Sequence, residues 1–585
     1  MSIQPAESQH TLSAQHRWPT WVRAALLALL SLASLYCWFW IIAIAQAFGP
    51  HPYIWVPICG EVAVLLVAIG IGLWQSRAGA KLSARAAAVV GLMWSLAALA
   101  VWYLFCSPFS RDLPLAIFFA ATSWWLAWMW MMFLMSINTL RRAAVLVALI
   151  SLVAVFGLSV RSDGIDGQAL PKLVWRIAGQ IGAPAALARE GTAASTASEG
   201  DYPRFRGADG LGVSHIANLA RDWSSLPPRL IWRRAAGAGW SAIAVVESQV
   251  FTQEQRQDDE CVVCYERTSG RELWCHRDRA HYTAAGTGDG PRATPTVDGS
   301  SMYTLGATGI LNALDRADGS RLWSIDIMKD NQATAPGHGA TGSPLMVGDL
   351  VIVAPGGAKA SLAAYDKSTG SRRWRAGSDP ASYASPMLVE IDGQPQILVV
   401  STQNIVAHDP RSGEILWTFP WRNDQQTNCS QPIAVAPNRV FLSADYGTGC
   451  ALVELSRERG AWKPKQRWAS RTMQTKFSSP VLRDGHVYGL DDGILECVSV
   501  ADGKRKWKSG RYGHGQLLLA DDLLVVMAED GRVALVAAEP QKFRELGQFQ
   551  ALDGKTWNYP ALAGTQLFIR NDREAACWEL PRAEE

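Results

Sequence analysis

An eight-bladed β-propeller behind a five-helix membrane domain is the fold this sequence predicts, and three observations predict it. The first is a recurring frame of acid, glycine and tryptophan at four-residue intervals. Asp315, Gly319 and Trp323 carry it, as do Asp366, Gly370 and Trp374, and Asp409, Gly413 and Trp417. Glu266, Gly270 and Trp274 keep the frame with Glu for Asp, and Ser499, Gly503 and Trp507 keep it with Ser. These glycines lie 49, 51, 43 and 90 residues apart, the last step holding a blurred repeat centred on Trp468. A period of roughly 40–50 residues, each holding several short strands, belongs to a propeller rather than a sandwich. The second observation is the concentration of apolar residues before position 161, and the third is the placement of basic residues between those apolar runs.

The apolar runs span 24–48, 53–74, 86–106, 113–136 and 143–160. Each approaches or exceeds the ~18–20 residues that cross a bilayer as a helix. Arg17, Arg23, Arg77, Lys81, Arg85, Arg141 and Arg142 flank them on one side; His51 and Arg111 stand on the other. That asymmetry places the N-terminal 1–23 in the cytoplasm and everything after 160 across a bacterial inner membrane, in the periplasm. The first run is too long for a cleavable signal and lacks a small-residue cleavage motif. Glu61 falls roughly 12 Å into the second span. It is a functional acid, one paired to a neighbouring helix, or one placed near the outer interface. Trp38, Trp102, Trp124 and Trp128 read as interface anchors.

Residues 161–200 form the expected linker. Within it Pro171–Ile181 reads as amphipathic, with Val174, Ile177 and Ile181 on one helical face. The small, polar run 185–200 reads as a tether. From Asp201 to Glu585 short apolar runs alternate with turn pairs such as Asp318-Gly319 and Asp502-Gly503. In each repeat the acid accepts turn amides, the glycine supplies a positive φ, and the tryptophan fills the space between blades. Trp232, Trp274, Trp323, Trp374, Trp417, Trp468 and Trp507 are therefore structural staples. Eight units begin near Gly239, Ala293, Ser343, Ser385, Ser430, Ser478, Gly515 and Trp557. The eighth lacks a closing strand, and Arg229–Arg233 supplies one from the start of the domain, which leaves no open edge.

These repeats resemble the pyrroloquinoline-quinone (PQQ) propeller superfamily, which includes quinoprotein dehydrogenases and the non-enzymatic BamB outer-membrane assembly proteins. The run DYPRFRGADGLGVS at 201–214, followed by Trp232, is similar to that of PQQ-like proteins of environmental bacteria. The resemblance covers about residues 201–580. Five spans before such a propeller also resemble the layout of membrane-bound quinoprotein glucose dehydrogenase, which implies PQQ with Ca²⁺ and electron delivery to quinone. Against that, the chain has no adjacent cysteine pair, no CxxCH, no alignable calcium ligand set and no long pocket-building insertions.

A formal charge of +3 gives no basis for a nucleic-acid surface. There is no HExxH, Walker loop or nucleophile elbow, and GTGDG at 286–290 reads as a loop. Of ten cysteines seven follow residue 200. Cys261 and Cys264 point to opposite faces of a strand, poor for chelation. A hairpin at 268–271 sets Cys264 opposite Cys275, the candidate disulfide. Just before each first strand stand Trp240, Arg292, His338, Tyr383, Asn428, Lys476, His514 and Trp557. These axial loops either form a ligand-binding face or tie neighbouring blades together and plug the channel. The chain thus reads as a membrane-anchored binding or assembly module for a protein, peptide or glycan, with a PQQ-dependent dehydrogenase as the alternative.

Overall fold

The computed structural model describes residues 200–583 apart from 215–217 and 285, together with the backbone strands Val160–Ile165 and Pro171–Trp175. The five expected spans with Glu61, and most of the linker, lie outside the described residues. Among the described residues no helix is long and apolar enough to cross a membrane. The chain divides into two compact units, Met1–Gly164 with Pro171–Gln180, and Ile165–Leu170 with Ile181–Glu585. Val160–Ile165 and Pro171–Trp175 form a two-stranded sheet, so a strand replaces the amphipathic helix expected at Pro171. The Leu-Val-Trp run favours an extended backbone, and so short a segment does not nucleate a helix by itself.

The propeller has eight blades, each built on four antiparallel strands, with a short fifth strand pairing parallel in the seventh. The first runs Ala244–Val246, Gln249–Arg256, Asp259–Glu266 and Glu272–Asp278 from axis to rim. Six further blades repeat that order along the chain. The eighth takes Ala561–Ala563, Gln566–Arg570 and Glu574–Glu579, and is completed by Arg229–Ala235, with Cys577 opposite Trp232. The ring closes as the sequence predicts. Eight apolar clusters lie at the blade interfaces, so the core is distributed around the ring. Each cluster needs the next blade to bury it.

The acid–glycine–tryptophan frame has a geometric cause. In the second blade the Gly319 amide donates to the Asp315 carbonyl, and Asp315 Oδ1 accepts from Ala317 N at 2.7 Å. Gly319 has φ 74°, open to glycine at little cost. It has a second duty: a Cβ there would lie 2.4 Å from the Trp274 ring of the preceding blade. Trp274 Nε1 donates to Arg316 O at 3.1 Å, one residue beyond the acid. Trp232 on Arg267 O, Trp323 on Lys367 O and Trp468 on Val500 O repeat the arrangement. Each of these tryptophans staples its blade to the turn of the next; Trp374 covers Gly413 in the same way, but its Nε1 has no partner among the described residues. A register irregularity between the third and fourth strands recurs in all eight blades. Such bulges raise local twist.

Two blades depart from the rule. The fifth has a long hairpin, Gly449–Glu458 and Ala461–Ser470, without the acid–glycine turn. Trp417 therefore donates to Gln396 Oε1 of its own blade, while Trp462 packs beside it. The seventh has Gly547 where a staple would stand, and Trp223 from the segment before the ring packs against it, 2.9 Å from the position of an added Cβ.

Ring closure has a polar component. Arg570 of the eighth blade is fully buried. It donates to Thr252 Oγ1 and Gln253 O of the first blade at 2.8 and 2.7 Å, and to Gly237 O at 2.7 Å. Burial lowers its pKa, but nearby Glu254 opposes that shift. The fully used guanidinium fastens the last blade to the first.

Candidate functional site

The axial channel has two unlike ends. At one end the segment 201–214, singled out by its sequence run, reaches the inner walls of all eight blades. Tyr202 bridges Val245, and Val297 N donates to Pro203 O. Arg206 Nη2 donates to Pro480 O at 2.8 Å, and its guanidinium lies 5.5 Å from the Tyr559 ring centroid. Val213–Ser214 adds a parallel strand to Gln516–Ala520, and Ser214 Oγ donates to Leu562 O. Arg204, Phe205 and Gly210 line a cavity of about 20 Å³ with residues of the second to fifth blades, about the size for one water. The segment is a plug.

The other end is the cup formed by the axial loops. Trp240 and Trp557 lie 4.9 Å apart at 41°. Phe477 is 5.0 Å from Trp557 and 5.7 Å from His514. His338 and Tyr383 lie 5.4 Å apart. Lys555 Nζ sits 4.2 Å from the Trp557 centroid and 5.0 Å from that of Trp240. Arg292 stacks 5.3 Å from Tyr282, and Lys476 5.5 Å from Tyr446. Aromatic side chains and three cations stacked on them therefore gather at the axial loops. Cation–π contacts of this kind contribute roughly 0.5–2 kcal/mol each, more as water is excluded.

Hydrogen bonds hold the belt in place. Trp240 Nε1 donates to Thr287 O at 2.5 Å, and Thr287 Oγ1 lies 3.2 Å from His338 Nδ1. Arg292 Nη2 donates to Gly288 O at 2.9 Å. Glu529 accepts from Trp557 Nε1 at 2.8 Å and from the His514 amide at 3.0 Å. Burial, then the Arg292 charge, lowers the His338 pKa; burial, then Lys476, lowers that of His514. Both imidazoles are thereby biased to the neutral form. Burial, then Cys429, pushes the Tyr383 phenol up to about 12.

Seven of the eight axial residues read from the sequence border this cup. Asn428 does not: it is buried, and its amide donates to Ser401 O and Trp421 O. Sequence reasoning missed Tyr282, Tyr446, Phe477, Glu529 and Lys555. Phe477 adjoins Lys476 and Lys555 is two positions before Trp557, so the loops were the right place to look. Tyr282, Tyr446 and Glu529 reach the cup from other loops, which a single-position frame does not capture.

The candidate disulfide is corrected. The register sets Cys264 against Trp274 and Val263 against Cys275. Cys264 joins the core toward the second blade, and Cys275 that toward the eighth. The hairpin closes between Glu266 and Arg271, tighter than the 268–271 count assumes, and the bulge between Cys264 and Tyr265 then shifts the register by one residue, which leaves Cys275 opposite Val263 on the other face.

A propeller with one end plugged and the other lined by aromatic and basic loops is the class that fold and site define. Residues 258–509 match the family model described as "Outer membrane protein assembly factor BamB". The chain is 24% identical over 278 residues to outer membrane protein assembly factor BamB of Yersinia pestis, covering 43% of this chain and 68% of that protein. It is 31% identical over 133 residues to quinohemoprotein alcohol dehydrogenase ADH IIB of Pseudomonas putida, covering 21% of this chain but only 18% of the dehydrogenase. The crystal structure of BamB from Moraxella catarrhalis aligns with TM-score 0.45 and 16% identity, covering 61% of this chain and 99% of that one.

The cup also bears on a PQQ–Ca²⁺ site. Among the described residues no three His, Cys, Asp or Glu side chains converge to hold a metal ion. Calcium takes 6–8 oxygen ligands, usually with several carboxylates. Trp240 and Trp557 tilt against each other under Lys555 instead of presenting one flat floor.

Proposed function

We propose that the cup is a recognition surface for a segment of a protein partner, and that the propeller serves as a binding or assembly module. The observation that carries this reading is the convergence of aromatic and basic side chains at the axial loops while the segment 201–214 occupies the other end. Rigid aromatic area with charged donors is the composition of binding hot spots. The match to a BamB family model, and a relative named as an assembly factor, support a protein partner in general.

Photo-reactive residues placed at Lys476, Lys555 and Thr287 are expected to crosslink one common partner in cells. The same probe at the exposed rim residues Leu273 and Leu322 is expected to yield none of it. Crosslinks confined to the rim would sink the proposal. Full-length protein supplied with PQQ, Ca²⁺ and an artificial electron acceptor is expected to oxidise neither alcohols nor aldoses. Turnover abolished by changing one propeller Asp or Glu would promote the dehydrogenase reading.

We further propose that residues 24–160 anchor the chain in a bacterial inner membrane with the propeller in the periplasm, a reading supported by the apolar runs and flanking arginines. Reporter fusions after Arg85 and Arg142 are expected to read cytoplasm, and those after Ser110 and Asp201 periplasm. A cytoplasmic reading at Asp201 overturns the orientation.

A further inference from the structure

Among the described residues the buried acids are Glu254, Glu260, Asp491 and Glu496. All but Glu260 sit beside a cation. Arg256 pairs with Glu254 at 2.5 Å, Lys508 with Asp491 at 2.6 Å, and Arg505 with Glu496. Glu260 instead stands directly opposite a second acid, Asp278, on the first blade, and like charges so placed repel. Among the described residues the one basic group within ion-pair reach of either carboxylate is the His276 ring, 3.5 Å from Asp278 Oδ1. Arg292 and Arg321 act from farther away.

Oxygen atoms without hydrogen-bond partners gather around this pair. Glu260 Oε1 accepts the Ala307 amide of the second blade at 3.0 Å. That bond lays the carboxylate over Gly306, where a Cβ would run into Oε2, and Oε2 itself is unpartnered. Asn312 reaches across the same interface and donates from Nδ2 to Asp278 Oδ2 at 2.6 Å, while its own Oδ1 is buried without a donor. Thr304 is the cross-strand partner of Asn312 and, two residues before Gly306, lies on the same face. Its Oγ1 is also buried and unpartnered. A buried acceptor without a donor is costly. A carboxylate and an amide oxygen left so can be satisfied by a proton or by a cation.

We propose that Glu260, Asp278, Thr304 and Asn312 hold a hard divalent cation between the first and second blades. The donor set is all oxygen, which such cations select. Two carboxylates match the charge, and the amide and hydroxyl oxygens stand where no third acid joins them. Calcium accepts about 6–8 oxygens in flexible geometry, whereas magnesium demands a near-ideal octahedron and sheds its waters reluctantly. The irregular set here favours calcium. Asp278 and Thr308, both half-buried, mark the path from solvent. With ligands from both blades, the ion ties the second to the first, as Arg570 ties the first to the eighth.

The test strips the full-length protein with EGTA, so that a proton can take the cation's place on Glu260. CaCl₂ or MgCl₂ is then added at fixed ionic strength and about pH 7.5, where carboxylates are free to bind. Calcium is expected to raise the thermal midpoint saturably, with magnesium requiring about tenfold more for the same rise. Glu260→Gln and Asn312→Leu should each weaken the calcium response about tenfold or more. Glu496→Gln, at a buried acid already paired with Arg505, should leave its concentration dependence unchanged. A structure of the wild-type protein with Tb³⁺ should place the anomalous peak about 2.3–2.6 Å from side-chain oxygens of Glu260 and Asn312. No calcium response, an undiminished response in Glu260→Gln, or no peak at Glu260 overturns the proposal. The wild-type peak decides even where a variant fails to fold.

Discussion

Deleting Arg229–Ala235 is expected to abolish the cooperative unfolding transition of the propeller, and appending the same seven residues behind a short turn after Leu580 is expected to restore it. The strand pairs from Glu579 opposite Arg229 to Glu574 opposite Ala235. Its loss leaves the eighth blade with three strands and removes the backbone link between the two ends of the ring. Trp232 leaves with it, together with its bond to Arg267 O and its cover over Gly270. Truncating that one buried tryptophan to alanine should cost about 3–5 kcal/mol. The transplanted strand would follow Leu580 as an ordinary hairpin, the connection every other blade has. Thermal unfolding followed by circular dichroism checks both variants. An unchanged transition in the deletion, or no recovery in the transplant, rejects the closure scheme.

Replacing Glu260 with Gln is expected to remove part of the pH dependence of stability. Glu260 is 5% exposed, opposes Asp278 across the first blade, and accepts the Ala307 amide of the second at 3.0 Å. Its second oxygen has no partner among the described residues. Burial, aided by Asp278 and opposed by Ala307 and Arg292, raises its pKa to about 7. A carboxyl with a raised folded-state value contributes stability fully below its unfolded value near 4.5. That contribution is lost as pH rises through 7. The stability difference, wild type minus Glu260→Gln, should therefore fall by about 3 kcal/mol from pH 4.5 to 7.5. His338, His408 and His514, whose values burial lowers, act in the opposite sense as pH falls through 6.5. Only the difference between variants isolates Glu260. Denaturant titrations that give a pH-independent difference reject the assignment.

The blade staple was legible because its cause is local. A turn that needs a positive φ calls for glycine, an acid caps it, and a large ring follows at fixed distance. Five frames and the completing strand at Trp232 marked the architecture. Less legible were features in which distant segments replace a missing local part. Trp223 serves a blade hundreds of residues away, where Gly547 gives no sign of needing a ring. The plug was visible as an unusual run at 201–214, but its destination depends on the ring being built. The axial loops indicated where the cup lies, yet Asn428 shares their frame and turns inward because Ser401 and Trp421 offer carbonyls. The cysteine error had a narrower cause: one bulge reverses which face a rim-strand residue occupies, and a uniform hairpin count contains no bulge.

Closure by Arg229–Ala235 also sets an order of events during synthesis. Trp232 meets Cys577, a partner 345 residues later in the chain. At about 5–20 residues per second, the strand emerges roughly 20–70 s before its site exists. During that interval an unpaired extended segment is a template for wrong pairing. Its composition answers the hazard: Arg229, Arg233 and Arg234 place three positive charges among seven residues, and charged residues around an apolar strand discourage aggregation. The arginines that flank Trp232 thus keep the waiting strand dispersed until the eighth blade arrives.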